Sequence, residues 1–262
     1  MDTLARALAL SPITDDLHRG TFTPDWGQGR AAFGGLVAGW CVAALRGRVD
    51  AARALRSITV TFNAPLAPGE FEVETALLRV GRATTQGSAT LRQAGAVVAV
   101  ASAAFGLDRP TRLAVPAAPA PVWPGVDDHP SLPYLEGVTP AFTRHFEYRW
   151  AHGGVPFSGS DEARFGGWIR PRDGAIASEA ALVAIADAWP APVLARADRV
   201  VPASSLTWLL NLLGPPPAPG WLQYESGTVA ADAGYADIDA RLWGPDGALL
   251  LTSRQLVVEF SA

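Results

Sequence analysis

The sequence predicts an α+β protein in which one plan is used twice, a helix followed by a long antiparallel sheet that wraps it. Three observations lead there. The stretch SITVTFNAPLAPGEFEVETALL from Ser57 and the stretch SLTWLLNLLGPPPAPGWLQYES from Ser205 share an outline: a strand, an asparagine (Asn63 or Asn211), prolines, a glycine (Gly69 or Gly220) and a second strand. The closing strands also correspond, GAVVAVASAAF ending at Phe105 and GALLLTSRQLVVEF ending at Phe260. Each repeat is preceded by an apolar segment of helical period.

The first helix is FGGLVAGWCVAAL, where Phe33, Leu36, Val37, Trp40, Cys41, Ala44 and Leu45 form a wide apolar stripe. The strand after it alternates, with Ile58, Val60 and Phe62 facing one way and Ser57, Thr59, Thr61 and Asn63 the other. Residues 109–140, including PTRLAVPAAPAPVWPGVDDHPSLP, are proline-rich and aperiodic, the mark of a semi-rigid connector between units at 1–108 and 141–262. The strands FTRHFEYRW and EARFGGWIR open the second unit. Its helix, SEAALVAIADAW, takes Ser178 as N-cap and Pro190 as stop. Later, Ala236, Ile238, Ala240 and Leu242 alternate with Tyr235, Asp237, Asp239 and Arg241 before the turn GPDG.

Bulk properties exclude several classes. At 49% hydrophobic and 18% charged, the 262-residue chain can bury a core and is not a disordered sequence. A net charge of −4 speaks against nucleic acid as a partner. Cys41 is the only cysteine, so no intramolecular disulfide and no multi-cysteine zinc site can form. There is neither a leader-like start nor a run of about 18 apolar residues, which predicts a cytoplasmic protein with no membrane span. G-x-S-x-G, the P-loop and H-E-x-x-H are missing. WGQGRAAFGG imitates a dinucleotide fingerprint but follows TFTPDW rather than a buried strand, and is rejected. His18, His129, His145 and His152 are scattered and suggest no metal site. Cys41 lies on the helix stripe and reads as packing.

One residue stands against its surroundings. Asp187 shares a helix face with Ala180, Val183 and Ala184, near Ile185 and Trp189, and sits in the last helical turn where the dipole disfavours a carboxylate. Burial there raises its pKa. Two readings stand: a helix-end residue reaching solvent, or a base that activates water. Donors for the second could come from SSLTWLLN, where Ser205, Thr207, Leu209 and Asn211 share a face, and from LLLTSRQLVV, where Leu251, Ser253, Gln255 and Val257 do. In the first half, Gly34 and Gly35 open a helix whose first N–H groups lack intrahelical acceptors. They serve either as an oxyanion-binding position or as glycines for close helix–sheet packing. Arg79 and Arg82 in RVGRATTQG could meet a phosphate or form a solvated edge. Trp40, Trp189 and Trp208 suggest a wide apolar pocket or simply core.

The arrangement resembles the acyl-CoA thioesterase II type of double-hotdog protein, two hotdog folds in one chain. The likeness runs from about Thr21 to Phe260 and leaves the connector unmatched. It rests on AFGGLVAG, SITVTFNAPLAPGEFEVET and LLRVGRATTQGSATLRQAGAVVAVASAAF in the first half, and on ALVAIADAW, SSLTWLLNLLGPP and DGALLLTSRQLVVEF in the second. The resemblance implies a catalytic aspartate, hydroxyl and glutamine at Asp187, Ser205 and Gln255. It implies one active site per chain, since Ala104 stands where Gln255 stands in the repeat. The first half then adds glycine amides at Gly34 and Gly35, with Arg79 and Arg82 as possible coenzyme A contacts. The implied activity is hydrolysis of acyl-CoA in fatty acid metabolism, with no metal or redox cofactor, coenzyme A entering as part of the substrate, in a homo-oligomer. The alternative is an acyl-CoA or lipid binder without turnover; a hydratase of this fold ranks lower because no histidine follows Asp187. The chain departs from the pattern at Thr207 and Trp208, where an Asp-His pair is common, at LLGP, and at Leu36 after the glycine pair.

Overall fold

The computed structural model of the chain describes residues 3–174 and 176–261. A short helix α1 (Leu4–Ala7), strands β1 (Ser11–Pro12) and β2 (Leu17–Phe22), and a small hairpin of β3 (Gly27–Gln28) and β4 (Ala31–Ala32) lead into helix α2 (Gly34–Arg46). Four long strands follow, β5 (Ala54–Phe62), β6 (Gly69–Val80), β7 (Thr84–Gln93) and β8 (Ala96–Gly106). The second half runs through β9 (Phe146–Gly153), β10 (Arg164–Pro171), α3 (Glu179–Ala186), β11 (Ala203–Leu212), β12 (Leu222–Asp232), β13 (Tyr235–Trp243) and β14 (Leu249–Glu259).

The expectation of two sheets is corrected. Twelve strands form one antiparallel sheet in the order β1-β2-β6-β7-β8-β5-β11-β14-β13-β12-β10-β9. The junction is β5 against β11, with Thr207 opposite Thr61, Leu209 opposite Thr59 and Asn211 opposite Ser57. In a half standing alone each of these strands would be an edge with unpaired N–H and C=O groups, and pairing them removes both edges. The predicted alternation holds: Ile58 and Val60 are buried, Thr59 and Thr61 exposed, and Ala236, Ile238, Ala240 and Leu242 all face the core.

Helix α2 lies against β6, β7, β8 and α3. Its stripe is buried as expected, and burial pushes the Cys41 thiol up to about 12, consistent with a packing role. The start of α3 falls where the sequence puts it, with Ser178 Oγ accepting from Ala181 N at 3.1 Å. Of the tryptophans read as pocket wall or core, Trp40 and Trp208 are core residues. Trp40 donates from Nε1 to the Ala7 carbonyl at 2.8 Å, and Trp208 donates to Ser253 Oγ at 2.8 Å.

The proline-rich connector is strapped to the second half. Trp243 Nε1 donates to the Ala118 carbonyl at 3.0 Å and Gln223 Nε2 to that of Pro121 at 2.6 Å. The Trp123 ring rests between His152 and Trp168, with centroids at 5.1 Å and 5.3 Å. Among the described residues no helix is long and apolar enough to cross a membrane, and no cluster of His, Cys, Asp and Glu is arranged to hold a metal ion.

Candidate active site

The site begins with how closely two helices approach. Gly35 and Gly39, one turn apart on α2, meet Ala184 and Ala180, one turn apart on α3. A Cβ built on Gly35 would sit 2.3 Å from the Ala184 carbonyl oxygen, and one on Gly39 would sit 3.1 Å from that of Ala180. Residues four apart share a helix face, so these small residues form a groove into which the partner backbone fits. The contacts also run in opposite senses along the two chains, so the helices are antiparallel. The start of α2 therefore lies at the end of α3.

Asp187 stands at that meeting point. It lies just past α3 rather than in its last turn, with its N–H bonded to the Ala184 carbonyl at 3.3 Å. The end of α3 repels a carboxylate, whereas the start of α2 attracts one and supplies the Gly35 N–H as a donor. Gln255 Nε2 donates to Asp187 Oδ1 at 3.0 Å and to Ser205 Oγ at 2.6 Å. Burial pushes the Asp187 carboxyl from the ordinary 3.8 up to about 7, against the lowering pull of Gln255 and Gly35. Asp187, Ser205, Gln255 and Gly34 all keep partial access to solvent.

A β-bulge brings the serine in. Ser205 pairs with Val257 and Thr207 with Leu256, so Leu206 is the extra residue. Ser205 thereby turns to the core face beside Trp208, while Thr207, Leu209 and Asn211 stay exposed. The single face predicted for Ser205, Thr207, Leu209 and Asn211 is thus corrected. The face of Leu251, Ser253, Gln255 and Val257 is as predicted, since Gln255 pairs with the buried Trp208 and Ile238. The hydroxyl does not touch the carboxylate; Gln255 bridges the two.

The same bulge in β5 shows what the first half lacks. There Leu55 pairs with Phe105 and Ser57 with Ala104. The strand exits also match: Asn63 and Ala64 donate to the Val98 carbonyl as Leu213 and Gly214 donate to that of Leu250. Asn63 therefore corresponds to Leu213, not Asn211, and Gln255 to Ala103, not Ala104. Ser205 corresponds to Leu55. Reflecting the Gly35–Ala184 contact onto Gly39–Ala180 places Val42 where Asp187 stands. Val42, Leu55 and Ala103 are all buried. Beside them Glu179 accepts from Leu55 N at 2.6 Å and Arg46 at 3.4 Å, with Arg46 above the Phe105 ring at 4.9 Å. The mirror position is filled with hydrocarbon and closed by an ion pair.

Not every candidate joins the cluster. Arg79 and Arg82 are exposed at the β6–β7 turn, where Arg53 Nη2 donates to the Gly81 carbonyl at 3.0 Å. Arg53 follows the C-terminal end of α2, so this turn is about 20 Å, one 13-residue helix, from Asp187. His145 stacks on Trp26 at 3.9 Å and faces Asp25 Oδ2 at 3.4 Å, a junction within the core. His152 lies beside Glu225. Of the two glycines, Gly35 answers to close helix packing, and its N–H bonds Asp187. At Gly34 a Cβ would lie 2.8 Å from Asp187 Oδ2 and 3.6 Å from the Phe62 ring.

This architecture recurs among solved structures. A conserved protein of unknown function with a hot dog fold from Alicyclobacillus acidocaldarius superposes with a TM-score of 0.88 at 25% identity, covering 98% of this chain and 97% of that one. A putative thioesterase II from Thermobifida fusca YX gives 0.85 at 21% identity, covering 98% of each. An acyl-CoA thioesterase II, TesB2, from Mycobacterium marinum gives 0.79 at 18%, covering 97% and 96%. The fold is of the hot dog class. The model of the acyl-CoA thioesterase N-terminal domain matches residues 22–106, and that of the C-terminal domain matches residues 118–258. The chain belongs to the acyl-CoA thioesterase family. The second match begins inside the segment expected to lie outside the resemblance, at the residue whose carbonyl Trp243 holds. No curated protein matches the chain.

Proposed function

We propose that the chain hydrolyses an acyl-CoA thioester, with Asp187 activating the attacking water. The observation that carries this reading is the Asp187–Gln255–Ser205 chain of hydrogen bonds, partly open to solvent, around a carboxyl raised to about 7. A carboxylate with that pKa takes a proton from water more readily than an ordinary one at neutral pH. Gln255 fixes the carboxylate and the serine together. Because Ser205 Oγ accepts from Gln255, its own proton is available to a water or to substrate.

The proposed sequence is a water oxygen attacking the thioester carbonyl while its proton passes to Asp187. The developing oxyanion lies at the N-terminal end of α2, facing the Gly34 N–H and the positive end of the helix dipole. The carbon–sulfur bond then breaks, the acid is released, and the proton on Asp187 passes to the departing thiolate of coenzyme A. No step calls for a metal or redox cofactor. An acyl-CoA binder without turnover would need no base beside a bound carbonyl, which is why hydrolysis is favoured.

The test is release of free thiol from a panel of acyl-CoA substrates by wild type and Asp187→Ala. Turnover on at least one chain that falls about a hundredfold or more in the variant supports the reading. Turnover indifferent to Asp187, or binding with no turnover on any chain, overturns it. A second expectation concerns Gly34. The Cβ of Gly34→Ala would push the Asp187 carboxylate off Gln255, a displacement of about 1 Å that costs on the order of a hundredfold in kcat. The melting temperature should change little, because the displaced atom is a side-chain oxygen. Steady-state kinetics and a thermal melt on the same preparation check both halves of this expectation.

A further inference from the structure

We propose that Tyr148 is a positioning residue for Asp187, holding the turn that carries the carboxylate; the proposal rests on the hydrolytic reading above. The Tyr148 hydroxyl, buried on β9, donates to the carbonyl of Ala188 at 3.0 Å. Ala188 directly follows Asp187, at a point where the helix has ended and its last carbonyls have no helical donor. Among the described residues this is the only side-chain hydrogen bond to the backbone of residues 187–190. The remaining local bonds are those of Asp187 N to Ala184 at 3.3 Å and Ala188 N to Ile185 at 3.1 Å.

The ring of Tyr148 secures the same turn from the other side. It meets Trp189 edge-on at 5.5 Å, and Trp189 is stacked on Tyr224 at 5.4 Å and packed against Trp150 and Phe165. Asp187 is therefore fixed at three points on three elements. Gly35 on α2 and Gln255 on β14 hold its carboxylate, and Tyr148 on β9 holds its backbone. The two carboxylate bonds are useful only if the turn stays in register with them. Without the phenolic bond the backbone of the turn keeps only its two local hydrogen bonds, and the carboxylate moves relative to Gln255 and Gly35.

The chemistry fixes the direction of the effect. Hydrogen bonds to an ionised carboxylate lower its pKa, so weakening them raises it further. Tyr148→Phe keeps the ring and its packing and removes only the hydroxyl. The expected result is a five- to twentyfold fall in kcat with KM within about twofold, and an acid limb of the pH–rate profile displaced to higher pH. Carboxyl titration of Asp187 by NMR, which needs no turnover, should show the same displacement. In an Asp187→Asn background the Tyr148→Phe change should have no further effect on the residual rate. A Tyr148→Phe enzyme with unchanged kcat and unchanged Asp187 titration overturns the proposal. So does an equal loss of rate in both backgrounds, which would mark a purely structural role. A wild-type rate that does not depend on Asp187 would instead overturn the hydrolytic reading itself.

Discussion

Asp187→Asn should leave a protein that is inactive and, above neutral pH, more stable than the wild type. Asparagine cannot take a proton from water at this position, and loss of a general base costs about a hundredfold or more. The stability effect follows from the raised pKa. Asp187 titrates at about 7 in the folded chain and at the ordinary 3.8 when unfolded, so between those values the folded state holds a proton that the unfolded state has lost. Stability therefore falls as pH rises through that window, and the ionised carboxylate costs on the order of a few kcal/mol above it. Replacing it should recover about 2 kcal/mol at pH 8, roughly 4–8 °C in melting temperature for a chain of this size. At pH 4 the two proteins should melt together. Parallel melts of both across this range check the sign, and a difference that does not vary with pH would refute it. Activity and stability are thus set in opposition at one oxygen pair: the pH that makes the base competent is the pH at which it strains the fold.

Gly35→Val should be the most damaging single substitution of a residue without a functional side chain. Its Cβ would lie 2.3 Å from the Ala184 carbonyl oxygen, a backbone atom that cannot swing aside. The helices must separate, at a cost of about 3 kcal/mol. That corresponds to roughly 6–12 °C in melting temperature. Separation also withdraws the Gly35 N–H from Asp187, so turnover should fall with stability. Gly34→Ala, one residue earlier, should lose rate alone. Thermal melts and thiol-release rates on the two variants separate these outcomes.

The repeat, the two helices and the alternating strands are legible in the sequence because periodicity and capping are local properties. Ser178 and the stripe on α2 are cases in point. What pairs with what across the duplication is not local. Aligning Asn63 with Asn211 is natural by eye and wrong by two residues, because the true pairing is fixed by a register shift that falls at Leu55–Ser57 in one half and at Ser205–Thr207 in the other. The shift left a trace: Leu55 and Ile58 are both apolar and three apart, which strict alternation forbids. In the second half the same spacing joins Ser205 to Trp208, and the serine masks the trace. Asp187 was conspicuous as a lone carboxylate in an apolar segment, but its neighbours were not. The Gly35 and Tyr148 contacts come from elements 152 and 39 residues away in sequence, and no pattern near Asp187 announces them. The small residues Gly35 and Gly39 facing Ala180 and Ala184 were the one available hint of how closely the helices meet.

The filled mirror position changes what the two halves are to one another. A duplicated fold offers two equivalent positions for a reaction centre, either of which could cover for the other. Here Val42, Leu55 and Ala103 fill the position that mirrors Asp187, Ser205 and Gln255 with interior. The proposed centre takes its carboxylate, hydroxyl and amide side chains from one half and its backbone donors from the other. On that reading neither half suffices alone, and the chain has no redundancy. Under the proposed mechanism a lesion at Gly35 should silence turnover as one at Asp187 does.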